Sequence, residues 1–181
     1  MNFYGAKQLA ESMRTVRKNT ILIAEDIPEE SYSYRPTPES RSIVESLFHI
    51  VTVWRFSFQI HEVERRSSIE GFDFTGYFAQ SSNNEKLARS KREIIEALQT
   101  EGERFSNWVE SLSDSFLAEP VRMPAGANPA EKSRFEMLLG AKEHEMHHRA
   151  QLMVMQRLLG IVPHLTRNRQ RSAAETAKAT T

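Results

Sequence analysis

Two histidines four residues apart, His144 and His148, sit in the run Glu143-His144-Glu145-Met146-His147-His148-Arg149-Ala150-Gln151-Leu152. On a helix that spacing stacks the two imidazoles one turn apart and about 40° apart in azimuth, so both rings can reach one point in space, and that point could hold a metal ion. Steps of three and four also place Met137, Ala141, Leu152, Met155 and Leu159 on the same stripe. The stripe is apolar except for the two histidines, which therefore project toward a core. A buried neutral imidazole needs a partner for its acceptor nitrogen. Two of them in adjacent turns need either two hydrogen-bond partners or one shared cation, and for a pair so spaced the shared cation is favoured.

Further candidates flank the pair. Gln151 falls within about 20° of the His144 azimuth, where it could orient a ligand or bond a neighbouring helix. Glu145, about 100° away, lies at the border of the stripe, where a solvated face competes with a supporting contact to the site. His147, about 60° to the other side, is flanking.

The remaining chain must supply the elements that position these groups. Helical periodicity predicts a first helix over roughly residues 4–26, with Leu9, Met13, Val16, Thr20, Ile23 and Ile27 inward. Ser42 followed by Glu45 forms a capping box that opens a second helix over roughly 42–66, with His49, Val53, Phe56, Ile60 and Val63 on one stripe. His49 faces inward, whereas His61 is rotated about 120° from it and reads as solvated or at an interface. Residues 67–84 read as an aromatic-rich loop packed on the bundle end, with a pocket lid or a second subunit as the other readings. A third helix spans roughly 85–112, with Leu87, Ile94, Leu98, Phe105, Trp108 and Leu112 inward. The proline-containing segment 114–128 is a connection, and a fourth helix runs from about 131 to Gly160.

Four amphipathic helices without an alternating strand pattern predict an all-α four-helix bundle over residues 1–165, followed by a frayed or flexible tail over 166–181. In a bundle, inward groups on facing helices build the site, so His49 can complete a set with His144 and His148. Three neutral imidazoles suit Zn²⁺, Ni²⁺ or Fe²⁺ and leave a coordination position open.

Composition bounds the function. The 181 residues carry 24 Lys plus Arg against 24 Asp plus Glu, so no basic face for nucleic acid is implied. There is no cysteine, which rules out thiolate ligands, disulfides and a cysteine nucleophile. Neither a signal peptide nor a spanning helix is visible, so a soluble cytoplasmic protein without a membrane partner is expected.

The pattern Ser42-Ile43-Val44-Glu45-Ser46-Leu47-Phe48-His49 after Pro36-Thr37-Pro38, then His144-Glu145-Met146-His147-His148-Arg149-Ala150-Gln151-Leu152, resembles the DinB-like (DinB/YfiT-like) metalloenzyme family. Leu158-Leu159-Gly160-Ile161-Val162-Pro163 extends the resemblance to about residue 165. It implies an up-down-down-up bundle, a divalent metal on His49, His144 and His148, and commonly a homodimer. It also implies a superfamily in which some members are thiol-dependent S-transferases or isomerases. Ala150 stands where a glycine is usual, and His164 where a second proline is common; both leave the substrate open. An open tri-histidine metal can generate a nucleophile at neutral pH from water or from a thiol. The chain has no thiol of its own, so one would arrive as a low-molecular-weight cosubstrate. The expected function is therefore a metal-dependent transferase or hydrolase acting on a small molecule.

Two rivals stand beside this reading. His144-Glu145-Met146-His147-His148 also satisfies HExxH, yet Gln151 and Val154 occupy the places of the metzincin glycine and histidine, and the only acid after His148 is Glu175. A non-catalytic bundle that binds a small ligand or partner is the other alternative.

Overall fold

The computed structural model describes residues 4–87 and 89–179. Four long helices make the bundle: α1 (Ala6–Asp26), α2 (Ile43–Phe58), α4 (Lys91–Glu110) and α6 (Arg134–Leu158), with the shorter α3 (Phe74–Glu85), α5 (Asp114–Ala118) and α7 (His164–Ala179) between and after them. Three of the long helices begin in the same way. Ser42, Ser90 and Ser133 each accept from the backbone N–H three residues on, and Glu45, Glu93 and Glu136 reach back to the serine N–H. These boxes satisfy amide donors that a helix start would otherwise leave bare, and they fix where each helix begins.

Side-chain pairings give the directions. Arg14 meets Asn107 while Lys91 meets the Ile27 carbonyl, so α1 and α4 are antiparallel. Tyr4 packs on Phe135 and Arg17 bonds Glu145, so α1 and α6 are parallel. Arg55 pairs with Glu101 and Trp108 donates to Glu62, making α2 parallel to α4, while His49 with His144 and Arg134 with His61 set α2 against α6. The result is the expected up-down-down-up bundle. Its core has one cluster around Ile23, Ile43, Leu47, Leu98 and Leu152 and a second around Leu9, Met13, Trp54, Phe105 and Leu138. Among the described residues no helix is long and apolar enough to cross a membrane.

Several expectations are corrected. The supposed loop 67–84 contains α3, held by a cluster in which Phe72, Phe74, Tyr77 and Phe78 all pack on Phe56 of α2. The third helix starts at Lys91, which leaves Leu87 exposed. The connection after α4 holds α5 and an antiparallel pair, β1 (Pro120–Arg122) with β2 (Glu131–Ser133). Helix α7 takes in the expected tail as far as Ala179, and its first turn docks on α1 through His164 with Asn19 and Arg167 with Asp26. Residues 180–181 of the predicted tail lie outside the described residues.

His61 is also corrected, since it is buried and accepts a hydrogen bond at Nδ1 from Arg134 (3.1 Å). The cause is a π-helical turn over Gln59–Val63, closed by Glu64 N–H donating to the Gln59 carbonyl. One additional residue in a turn shifts the phase of everything after it. His61 swings inward and Val63, expected inside, is 60% exposed.

Candidate metal centre

Helices α2 and α6 cross so that His49 meets His144 and His148. The Nε2 atoms of His49 and His148 each lie 3.0 Å from Nε2 of His144, and one ligand atom from each ring falls within 4.8 Å of the others. Two nitrogens each bonded at about 2 Å to one ion stand roughly 3 Å apart, so the spacing suits a shared cation.

The far side of each ring decides which nitrogen carries the proton. His49 Nδ1 lies 2.6 Å from Glu85 Oε1. A carboxylate only accepts, so Nδ1 donates and Nε2 is free to present its lone pair. His148 does the same toward the Gln151 carbonyl oxygen at 2.8 Å, while the Gln151 amide donates to His147 Nε2 at 3.1 Å. His144 Nε2 therefore faces two acceptor nitrogens. One hydrogen would have to serve both contacts, or lone pairs would face each other; a divalent cation satisfies all three.

Electrostatics point the same way. The His144 pKa is lowered to about 4, first by burial and then by His49, His147 and Arg41. His148 is also lowered to about 4, by burial and His49, against a smaller opposing effect of the Gln151 hydrogen bond. Both rings are thus neutral at pH 7, the form that ligates. Burial raises the Glu85 pKa, but the hydrogen bonds from His49 and Arg41 outweigh it and the net shift is downward. Glu85 stays ionised, with Oε2 accepting from Arg41 Nε at 2.8 Å.

The site borders a cleft of about 870 Å³ lined by His147, His148, Gln151, Glu85, Arg41 and Met155 among others. Such a volume accommodates a small organic molecule beside the histidines.

The placement of the predicted residues is uneven. His49, His144 and His148 come together, and Gln151 supports His148 directly. Glu145 points elsewhere: it is buried against α1, taking Arg17 Nε at 2.9 Å on Oε1, Arg17 Nη2 at 2.9 Å on Oε2 and Thr20 Oγ1 at 2.7 Å. It neither supports the histidines nor reaches the cleft. The zincin reading fails with it, because that chemistry needs this carboxylate on the substrate side. Glu85 and Arg41 were missed. Glu85 falls just past a stretch read as loop, and one acid thirty-six residues from its histidine leaves no local signal.

Solved structures resemble the whole bundle. A DinB-like protein, YjoA of Bacillus subtilis, is 24% identical over 84% of this chain and 92% of its own, with a TM-score of 0.60. An uncharacterised protein of Clostridium difficile 630 is 16% identical over 87% and 98%, with a TM-score of 0.67. YfiT of Bacillus subtilis, described as a probable metal-dependent hydrolase with an unusual four-helix bundle topology, is 14% identical over 89% and 91%, with a TM-score of 0.65. At these identities the likeness speaks for the fold alone. No curated protein is significantly similar to the chain. The sequence profile of the DinB superfamily matches residues 12–152, most of the bundle from mid-α1 to the α6 histidines, and the chain belongs to that superfamily.

Proposed function

We propose that the protein is a divalent-metal-dependent enzyme acting on a small molecule, with His49, His144 and His148 as the metal ligands. The observation that carries this reading is the convergence of three Nε2 atoms, two of them with their Nδ1 protons held elsewhere, at the edge of a cleft. A divalent ion there supplies Lewis acidity, which makes a nucleophile of water or of a thiol at neutral pH.

The chain's own residues do the positioning. Glu85 keeps the His49 proton on Nδ1, and Arg41 holds Glu85 in turn. Gln151 fixes the His148 ring and links it to His147 on the cleft wall. With no cysteine in the chain, S-transfer requires a low-molecular-weight thiol as cosubstrate, whereas hydrolysis requires only water. The description of YfiT favours hydrolysis and the resemblance to thiol-dependent members favours transfer. Homodimerisation and residence in the cytoplasm belong to the same proposal.

The test is a paired screen of metal-loaded and chelated protein, once with electrophiles plus small thiols and once with esters and amides alone. Metal-dependent turnover abolished by His148→Ala supports the enzyme, and the panel that reacts selects the class. Ligand binding at the cleft with no turnover in either panel overturns catalysis in favour of a binding bundle.

A further inference from the structure

One cationic group on the cleft wall is only partly engaged by the protein. Arg41 precedes the Ser42 cap of α2 and is anchored at one atom, Nε, on Glu85 Oε2. Glu85 Oε1 holds His49, so two hydrogen bonds fix Arg41 relative to the three imidazoles. Among the described residues the two Nη groups of Arg41 have no protein partner, and the side chain is 43% exposed on the cleft wall. Arg35, on the same wall, is different: its Nη1 donates to the Ser40 carbonyl and its Nη2 to Glu45.

The charge balance around the cleft makes the free guanidinium edge matter. Arg35, Arg41 and Lys86 face Glu39, Glu45 and Glu85, so the lining is neutral before any metal is added. Glu45 is engaged by Arg35 and by the α2 cap, and Glu85 by His49 and Arg41. With a divalent ion on the histidines, the cleft carries an uncompensated charge of two. A guanidinium fork presents parallel N–H donors that match a carboxylate or phosphate.

We propose that the small molecule handled in this cleft is anionic, with a carboxylate or phosphate that binds the free Nη edge of Arg41 while another of its atoms reaches the metal. This rests on the tri-histidine metal reading and adds the substrate class to it. Arg41 thereby has two attachments, Nε to the protein and Nη to the ligand, and it couples substrate charge to the Glu85–His49 pair that supports the metal.

The experiment uses the full chain loaded with Co²⁺, whose visible and charge-transfer bands report the metal and any thiolate bound to it. Mercaptoacetate and 3-mercaptopropionate, which pair a thiolate with a carboxylate at two lengths, are titrated against neutral 2-mercaptoethanol. Wild-type protein is expected to favour at least one carboxylated probe by about tenfold or more. Arg41→Gln should abolish that preference while retaining one Co²⁺ per chain, and Arg35→Gln should leave it within about threefold. Equal affinity for charged and neutral thiols in the wild type overturns the proposal. So does a preference that survives Arg41→Gln, or one lost equally in Arg35→Gln. Absence of the Co²⁺ bands in the wild type overturns the metal reading itself, and the anion proposal with it, so the two failures look different.

Discussion

Helix α6 presents two polar regions from neighbouring residues, and they are built on opposite rules. On the side facing α1, Glu145 is buried with Arg17 and Thr20. Arg17 also donates to the Leu98 carbonyl, and its guanidinium lies 3.9 Å from the centre of the Trp54 ring. Donors and acceptors match, and the network is closed. On the side facing α2, Nε2 of His144 meets the acceptor nitrogens of both His49 and His148 beside an open cleft. A matched network holds helices together, whereas a surplus of convergent acceptors asks for something from outside. That contrast separates Glu145, the acid of the HExxH pattern, from the histidines proposed to ligate.

The largest expected effect breaks the closed side. Glu145→Ala strands the Arg17 guanidinium in the core and should cost about 3–5 kcal/mol in urea unfolding. Metal stoichiometry of the folded fraction should be unchanged, since no imidazole is touched. If the variant loses little stability but loses metal, the two regions have been assigned the wrong way round.

Next comes the open side. His49→Ala should remove the metal-dependent stabilisation, worth about 2.7 kcal/mol at a free metal concentration one hundred times Kd. Its melting temperature should then be the same with metal and with chelator. Glu85→Gln retains the three ligands and weakens only the support of His49, so metal affinity should fall about 10–100-fold by competition titration. An unchanged affinity would reduce Glu85 to a packing residue.

Acid sharpens the comparison further. His61, His144 and His148 all have pKa values lowered to about 4, so the unfolded chain takes up protons that the fold resists. The sign follows: the contribution is complete above pH 6.5 and is lost as pH falls from about 6.5 toward 4. Unfolding midpoints of metal-free protein should fall through that window, less so in His61→Leu. The smallest expected effect is Ser133→Ala, which removes the α6 cap and should cost about 1 kcal/mol without altering metal affinity.

The convergence of His49, His144 and His148 was legible because all three lie on regular helical stripes. His144 and His148 share one face of α6 by simple spacing, and His49 falls seven residues after the Ser42 cap. The stripe of α1 was equally plain, with Leu9, Met13, Thr20, Ile23 and Ile27 all fully buried. What escaped was irregular or nonlocal. The π-turn at Gln59–Val63 defeats a fixed 100° per residue and hid His61. Helix α3 contains Gly76 and the poor helix formers Ser81-Ser82-Asn83-Asn84, and ring packing on Phe56 holds it, so Glu85 read as the edge of a loop. Arg17 sits among the buried residues of α1, and only the partner helix reveals that Glu145 compensates it.

Everything proposed for the cleft depends on the three imidazoles sharing one divalent ion. Elemental analysis of tag-free wild-type protein, paired with calorimetric titration of chelated protein and of His49→Ala, tests it most directly. Close to one transition-metal ion per wild-type chain is expected, with no saturable high-affinity site in His49→Ala. Negligible metal in the wild type, with no saturable uptake on titration, would contradict it.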